Sequence, residues 1–274
     1  MQVSNPWDVI FDAGEGRVVL GVDFPATRRA EAGFPDLAAR IGPSYSLLLS
    51  NPPPARSSQR AHGAAYVAPW IEGIRQDGRQ VAAVLGCCVG SVYAAEIVEG
   101  ISQWQQAPEV ILFNPQLPSN VHISLALHRE ISALSSLLSD DELERTRKLA
   151  TEICQSVACD ITDLAVEAAE AYWEVSSVAY ERVGLGDSCD DKFIAPFDSY
   201  ISWLAVAAQI DPCPVWENST AVVSSDYALL PGGACRGDDG DYLIGRSIPF
   251  EVPHIDLLRS DSVASAVLGL LASR

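Results

Sequence analysis

Apolar runs of strand length alternate with amphipathic segments through the first part of the chain. The strand-like runs lie at 17–24, 44–50, 80–85 and 109–114. Between them, apolar residues recur at helical spacing over 34–41 and 64–75. Because strands that alternate with helices at short spacing form parallel βαβ units, this pattern predicts an α/β fold with a doubly wound, mostly parallel sheet.

The pattern changes at about residue 119. From there to about residue 212 it is mostly helical, most clearly over 142–155 and 161–180. Strand character returns at 219–224, and a final helix is predicted over 260–272. We therefore predict a core formed by residues 1–118 and 214–274, with 119–213 inserted as a helical lid. An insertion of roughly ninety residues is usually functional.

The most informative motif joins the third strand to the helix that follows it. Residues 86–90 read Gly-Cys-Cys-Val-Gly, a Gly-x-Cys-x-Gly pattern. In a strand–turn–helix context this pattern is typical of a nucleophile elbow, whose central residue lies on a sharp turn. Gly86 and Gly90 are expected there because side chains would collide with the neighbouring strand and helix. The predicted nucleophile is Cys88, since a thiolate attacks strongly and forms a thioester.

A thiol nucleophile needs a base, and the base needs an orienting group. In hydrolases of this architecture the chain order is nucleophile, acid, histidine, and only His254 lies late enough to fit. Asp226 directly follows the strand at 219–224 and is the first candidate for the acid. Asn114, at the end of the fourth strand, is the second choice, because Cys–His–Asn arrangements exist in other cysteine enzymes. The remaining histidines, as alternative bases, are His62, His122 and His128.

The oxyanion hole and Cys87 complete the predicted elbow. An oxyanion hole needs two backbone N–H groups, and the first is expected from Val89, at the head of the helix after the nucleophile. The second is expected from the loop after the first strand, at Ala26 or Thr27. Cys87 precedes the elbow position, so its side chain is expected to point back into the sheet as a small apolar group.

Composition excludes several classes of function. The net charge of −18 argues against nucleic acid as a partner. The seven cysteines are odd in number and none forms a Cys-x-x-Cys pair, which disfavours a disulfide framework and a metal site. No run approaches the ~18 apolar residues of a membrane helix, and the N-terminus lacks a basic region followed by an apolar one. We therefore expect no membrane association and a cytoplasmic location.

These residues resemble the α/β-hydrolase thioesterases of non-ribosomal peptide and polyketide assembly lines, above all the stand-alone type II kind. Residues 18–26 are similar to the family's opening strand and Phe-Pro turn, and 252–259 to its catalytic-His segment. Residues 84–91 are similar to its Gly-His-Ser-x-Gly elbow, with Cys87 at the His and Cys88 at the Ser. Asp226 falls at the type II acid position. The resemblance covers about 17–118 and 215–274, and the family's Gly-Gly after the Phe-Pro turn is absent.

The resemblance implies an α/β-hydrolase fold and an enzyme without a cofactor of its own. Such an enzyme takes an acyl or aminoacyl group from the phosphopantetheine thioester of an acyl or peptidyl carrier protein onto Cys88. Because the exchange of one thioester for another is near thermoneutral, a Cys nucleophile suits onward transfer to a thiol or an amine, as in cysteine-dependent aminoacyltransferases. Release by hydrolysis is an equally open outcome. The alternatives are a small-molecule hydrolase of the dienelactone-hydrolase type and a non-catalytic binding module with the same fold.

Overall fold

The computed structural model describes residues 5–14, 16–24, 30–53, 63–156, 160–185, 194–231 and 243–272. Within these residues the strands are β1 Trp7–Phe11, β2 Val18–Val22, β3 Ser46–Ser50, β4 Val81–Cys87, β5 Glu109–Phe113, β6 Thr220–Val223 and β7 Arg246–Pro249. The helices are α1 Phe34–Ile41, α2 Gly63–Asp77, α3 Gly90–Ile101, α4 Asn120–Ala133, α5 Asp140–Gln155, α6 Ile161–Arg182, α7 Ala195–Ala207, α8 Cys213–Trp216 and α9 Asp261–Ala272. Short 3₁₀ turns occur at Gly42–Ser44, Tyr227–Leu229 and His254–Arg259.

The strands form one sheet in the order β1-β3-β2-β4-β5-β6-β7. Every neighbouring pair is parallel except β1 and β3, which run antiparallel. The doubly wound, mostly parallel sheet that the sequence predicts is therefore confirmed. In such a sheet the carboxyl ends of neighbouring strands meet at one edge, where ligands usually bind.

Strand β1 was not predicted from the sequence. It is short and lies at the edge of the sheet, where only Trp7 is buried, and its apolar run at 9–11 is shorter than the roughly four to eight residues that indicate a strand. Trp7 anchors it by donating from Nε1 to the backbone oxygen of Trp70, 2.8 Å away. In the sheet, β3 and β2 lie between β1 and β4, the strand that leads into the elbow.

Helices cover both faces of the sheet. On one face α1 and α9 pack against alternate residues of the central strands, with the rings of Phe34 and Phe113 edge to face at 6.0 Å. The aromatic rings of Tyr66, Trp70 and Tyr93, from α2 and α3, pack together 5.5–5.6 Å apart. Successive strand residues point to opposite faces, and on β2 and β4 both faces are covered. These two strands are therefore apolar at nearly every position.

The described residues form two compact units. The first, the sheet unit, consists of those within Met1–Pro52, Gly63–Leu117 and Ile210–Arg274. The second, the helical unit, consists of those within Pro53–His62 and Pro118–Gln209 and contains α4 to α7. Inside the helical unit, Arg182 on α6 binds both carboxylate oxygens of Glu142 on α5 at 2.8 Å. Among the described helices, none is both long and apolar enough to cross a membrane.

Candidate active site

Cys88 lies on a sharp turn between β4 and α3. Its φ of 52° is in the left-handed region, which non-glycine residues rarely adopt. The turn is held by two backbone bonds, from Cys88 N–H to the oxygen of Phe113 at 2.9 Å and from Ser91 N–H to the oxygen of Cys88 at 3.1 Å. Cys88 is half-buried, whereas Cys87 before it is 3% exposed. Strained backbone of this kind is typical of functional sites.

The two glycines of the motif are required by close packing. A Cβ on Gly86 would lie 2.5 Å from the Cα of Ser91, and one on Gly90 would lie 2.2 Å from the backbone oxygen of Val22. Both contacts are with backbone atoms, which cannot move away as a flexible side chain would. The glycines therefore allow α3 to lie close to β2 and β4, which brings the helix N-terminus beneath Cys88.

The carboxyl ends of three neighbouring strands bring the candidate residues together. Cys88 follows β4, Asn114 follows β5, and Ser224 with Asp226 follows β6. Asn114 also has a left-handed backbone, with φ of 45°, and its N–H donates to the oxygen of Val222 at 3.0 Å. The site is thus built from strand ends that are adjacent in the sheet although distant in sequence.

His254 completes the group from the start of the last 3₁₀ turn. Its Nε2 lies 3.8 Å from the Sγ of Cys88, and its Nδ1 lies 2.8 Å from the Nδ2 of Asn114. Asn114 is completely buried. The sequence-predicted residues Cys88 and His254 are therefore in contact, and the amide of Asn114 lies against the far side of the imidazole ring.

Asp226 lies next to this group but meets a different part of His254. Its Oδ1 accepts from the backbone N–H of His254 at 2.8 Å and from the hydroxyl of Ser224 at 2.6 Å. The Ser224 hydroxyl lowers the pKa of the Asp226 carboxyl below its ordinary value, with the His254 backbone N–H adding to the effect. The structure therefore differs from the prediction that Asp226 orients the ring: Asp226 is in the turn two residues beyond Ser224, and the second-choice residue Asn114 faces Nδ1.

The oxyanion candidates are only partly covered by the structure. Val89 is buried, and it immediately precedes α3, so its N–H is among those that a helix leaves without an intrahelical partner. Such groups carry the positive end of the helix dipole. Ala26 and Thr27, expected to supply the second donor, lie outside the described residues.

Two of the other candidate bases, His122 and His128, lie on helix α4. His122 is buried at the start of α4, where its Nδ1 lies 2.9 Å from the hydroxyl of Ser119, and burial lowers its pKa to about 4. His128 lies further along the same helix, and His62 is outside the described residues. In the part of the chain that the structure describes, no cluster of His, Cys, Asp and Glu is placed to hold a metal ion.

Sequence reasoning missed Ser224. Its backbone N–H donates to Asn114 Oδ1 at 2.8 Å, while its Oγ lies 2.9 Å from Asn114 Nδ2 and donates to Asp226. The available signal was a Ser at the end of a buried strand, two residues before the candidate acid. That signal alone is weak, because Ser is common at strand ends.

Known proteins resemble this chain in structure rather than in sequence. No protein-family model matches it, and no curated protein matches it in sequence. It superposes on part of a four-domain nonribosomal peptide synthetase, AB3403, solved with AMP and glycine, with a TM-score of 0.55 and 12% identity. The match covers 98% of this chain, which spans only 20% of the length of that synthetase.

Two single-domain structures match over nearly their whole length. The putative non-heme bromoperoxidase BpoC from Mycobacterium tuberculosis H37Rv has a TM-score of 0.52 and 14% identity, covering 100% of this chain and 97% of that one. The NocB thioesterase domain, in covalent complex with a fluorophosphonate nocardicin G analog, has a TM-score of 0.50 and 15% identity, covering 93% and 95%. Together with the parallel sheet and the elbow, these similarities show that the chain has the α/β-hydrolase fold.

Proposed function

We propose that the protein is a thioesterase-like enzyme that takes an acyl or aminoacyl group from the phosphopantetheine thioester of an acyl or peptidyl carrier protein onto Cys88. The observation that carries the proposal is the position of Cys88 on a left-handed elbow, with its Sγ 3.8 Å from Nε2 of His254. A thiol at a helix N-terminus beside an imidazole is in the environment that makes cysteine reactive.

The fold supports the same class of chemistry. One structure that shares it is a thioesterase domain held in a covalent complex with a fluorophosphonate, and another is a nonribosomal peptide synthetase. The motifs around Cys88 and His254 are those that resemble assembly-line thioesterases. The fold hosts several reactions, and the motifs are what favour acyl chemistry on a carrier-bound thioester among them.

In the proposed reaction the Cys88 thiol loses its proton to solvent, and the resulting thiolate attacks the thioester carbonyl. A new carbon–sulfur bond forms to Cys88 while the bond to the phosphopantetheine sulfur breaks, and the pantetheine leaves as a thiolate. His254 hydrogen-bonds the sulfur, and the Val89 N–H stabilises the oxyanion. The acyl group then passes to a thiol or amine acceptor, or to water. No cofactor takes part in these steps.

Intact-protein mass spectrometry tests the proposal. The enzyme is mixed with a carrier protein that bears an acetyl or aminoacyl phosphopantetheine, and the acylated species is mapped by peptide analysis. We expect an adduct on Cys88 that discharges to an unloaded carrier protein or an amine. The Cys88→Ala variant should form no adduct, because it lacks the sulfur that carries the acyl group.

Cys87→Ala is the matched control, because it removes the neighbouring thiol, whose Sγ lies 3.7 Å from that of Cys88. It should still form the adduct, since Cys87 is buried. An adduct that persists in Cys88→Ala would assign the nucleophile to another residue. The absence of both adduct and turnover in the native enzyme would contradict the proposal and favour a small-molecule hydrolase or a non-catalytic module.

A further inference from the structure

Both polar atoms of the Asn114 side chain have hydrogen-bond partners. Its Oδ1 accepts from the backbone N–H of Ser224 at 2.8 Å. Its Nδ2 lies 2.9 Å from Ser224 Oγ and 2.8 Å from Nδ1 of His254. The two hydrogens of the amide nitrogen and one lone pair of the amide oxygen are thereby accounted for.

Two independent contacts determine which way the amide points. The backbone N–H of Ser224 can only donate, so the atom facing it must be the amide oxygen. An ionised Asp226 can only accept, so it takes the hydroxyl proton of Ser224 and leaves Ser224 Oγ to accept from the amide nitrogen. The lowered pKa of Asp226 keeps it ionised at neutral pH. Rotating the amide by 180° would break both contacts.

This orientation has a consequence for His254. Since Asn114 presents an N–H to the ring, Nδ1 of His254 must be the acceptor and carries no proton. In a neutral imidazole the proton is then on Nε2, which is the nitrogen 3.8 Å from Cys88 Sγ. His254 therefore faces the sulfur as a hydrogen-bond donor.

We propose that Asn114, held by Ser224 and Asp226, is a positioning residue that keeps His254 in the Nε2–H tautomer and so directs the acyl group on Cys88 to a thiol rather than to water. The inference rests on the proposed function and deepens it, because it selects the class of acceptor. Asn114 acts only through His254, and Ser224 acts only through Asn114.

The selection follows from the different needs of the two acceptors. A thiol acceptor is partly ionised near neutral pH, so its thiolate attacks the acyl carbon directly and the Cys88 thiolate leaves. Water must lose a proton as it attacks, and a base has to take that proton before the carboxylic acid and the Cys88 thiolate separate. Nε2 of His254 cannot take it while it already carries a hydrogen. Transfer of the acyl group to a thiol can therefore proceed, whereas its hydrolysis is slow.

The tautomer can be measured without any substrate. Two-dimensional ¹H–¹⁵N spectra of protein with labelled histidine distinguish the two neutral tautomers, and His254→Ala identifies the signals of His254. At about pH 8, above the ordinary pKa of histidine, we expect the Nε2–H pattern in the native protein. The Nδ1–H pattern in the native protein would overturn the inference, and it would do so whether or not the carrier-protein assignment is correct.

Asn114→Asp tests the functional half of the inference. A carboxylate facing Nδ1 can only accept a hydrogen bond, so it favours the tautomer of His254 with the proton on Nδ1. Nε2 then carries no proton and can act as a base. After acetylation of Cys88 with acetyl-N-acetylcysteamine, the ratio of hydrolysis to transfer onto an added thiol should rise about tenfold or more, since general bases contribute at least this much. The ¹⁵N spectrum should change to the Nδ1–H pattern.

The controls separate the tautomer from charge and folding. Asn218→Asp makes the same change at an exposed site and should leave the ratio unchanged. Because Asn114 is completely buried, the double variant Asn114→Asp/Asp226→Asn keeps a single carboxylate in the group and serves if the single variant does not fold. A folded variant with an Nδ1–H spectrum and an unchanged ratio would overturn the proposed control of the acceptor.

Discussion

At the scale of single residues, the arrangement around His254 determines how much its removal costs. His254→Ala removes a hydrogen bond to the Cys88 sulfur, and a bond to a charged group contributes about 1.5–3 kcal/mol. We therefore expect acylation of Cys88 to slow by roughly tenfold to a hundredfold, because 1.4 kcal/mol corresponds to about a factor of ten. Stopped-flow measurement of acylation by a thioester with a chromophoric leaving group would give the rate.

His128→Ala is the comparison variant, since it removes a histidine from the helical unit, and it should acylate at the native rate. A loss greater than about a thousandfold in His254→Ala would be the size expected of a general base and would contradict the donor role. A loss below twofold would mean that His254 takes no part in the formation of the acyl-enzyme.

Chain order and turn chemistry are sufficient to predict where two residues of the candidate site lie, while their catalytic roles stay predictions. Cys88 is located by its flanking glycines, and His254 by its place after the last strand. The ranking of Asp226 over Asn114 could not be obtained in this way. Which of two side chains at neighbouring strand ends meets the imidazole depends on the path of the 250–254 loop, which is set by contacts such as Ser225 N–H to the oxygen of Val252.

At the scale of elements, the elbow depends on how closely α3 approaches the sheet. Gly90→Ala would place a Cβ 2.2 Å from the Val22 oxygen, so either α3 or β2 must shift. Overpacking of this kind typically costs 1–3 kcal/mol, and we expect about that loss in the free energy of unfolding together with loss of acylation. Chemical denaturation and the acylation assay measure the two effects.

The same substitution elsewhere should have the opposite sign. Gly269 lies inside α9, and a Cβ there would meet no atom within 4 Å. Gly269→Ala should therefore stabilise the protein by about 0.5–1 kcal/mol, the difference between Gly and Ala in a helix. If Gly90→Ala proved as harmless as Gly269→Ala, the close approach of α3 to β2 would not be what the elbow requires.

Elements were predicted well where periodicity is strong and the residues are buried. The helix expected at 34–41 is observed at Phe34–Ile41, because its apolar face at i, i+3, i+4 and i+7 is completely covered. The short strands β1 and β7 are harder to predict from sequence, since both lie at the edges of the sheet and are largely exposed. Edge strands are stabilised by their pairing partners, and a local pattern contains little of that information.

At the scale of the whole molecule, the net charge of −18 bears on how a carrier protein would dock. With an acidic carrier, the summed charges repel, and this repulsion slows diffusional encounter. Salt screens charges over a Debye length of about 30 Å at 0.01 M and about 8 Å at 0.15 M. We therefore expect kcat/KM for acylation by an acidic loaded carrier protein to rise over this range of ionic strength. In enzymes that attract their substrate electrostatically, kcat/KM falls as salt is added.

A small uncharged donor separates docking from chemistry. Acetyl-N-acetylcysteamine carries no charge, so its rate of reaction with Cys88 should hardly change with salt. A parallel rise for both donors would mean that salt acts on the chemistry at the site and not on the encounter with the carrier protein.

A fall in kcat/KM with the carrier protein alone would contradict the prediction. It would mean that docking uses a local basic surface strong enough to outweigh the net charge, for which the sequence offers Arg28, Arg29, Arg56 and Arg60, all outside the described residues. Charge-reversing substitutions at those arginines would then weaken acylation by the carrier protein and spare acylation by the small donor.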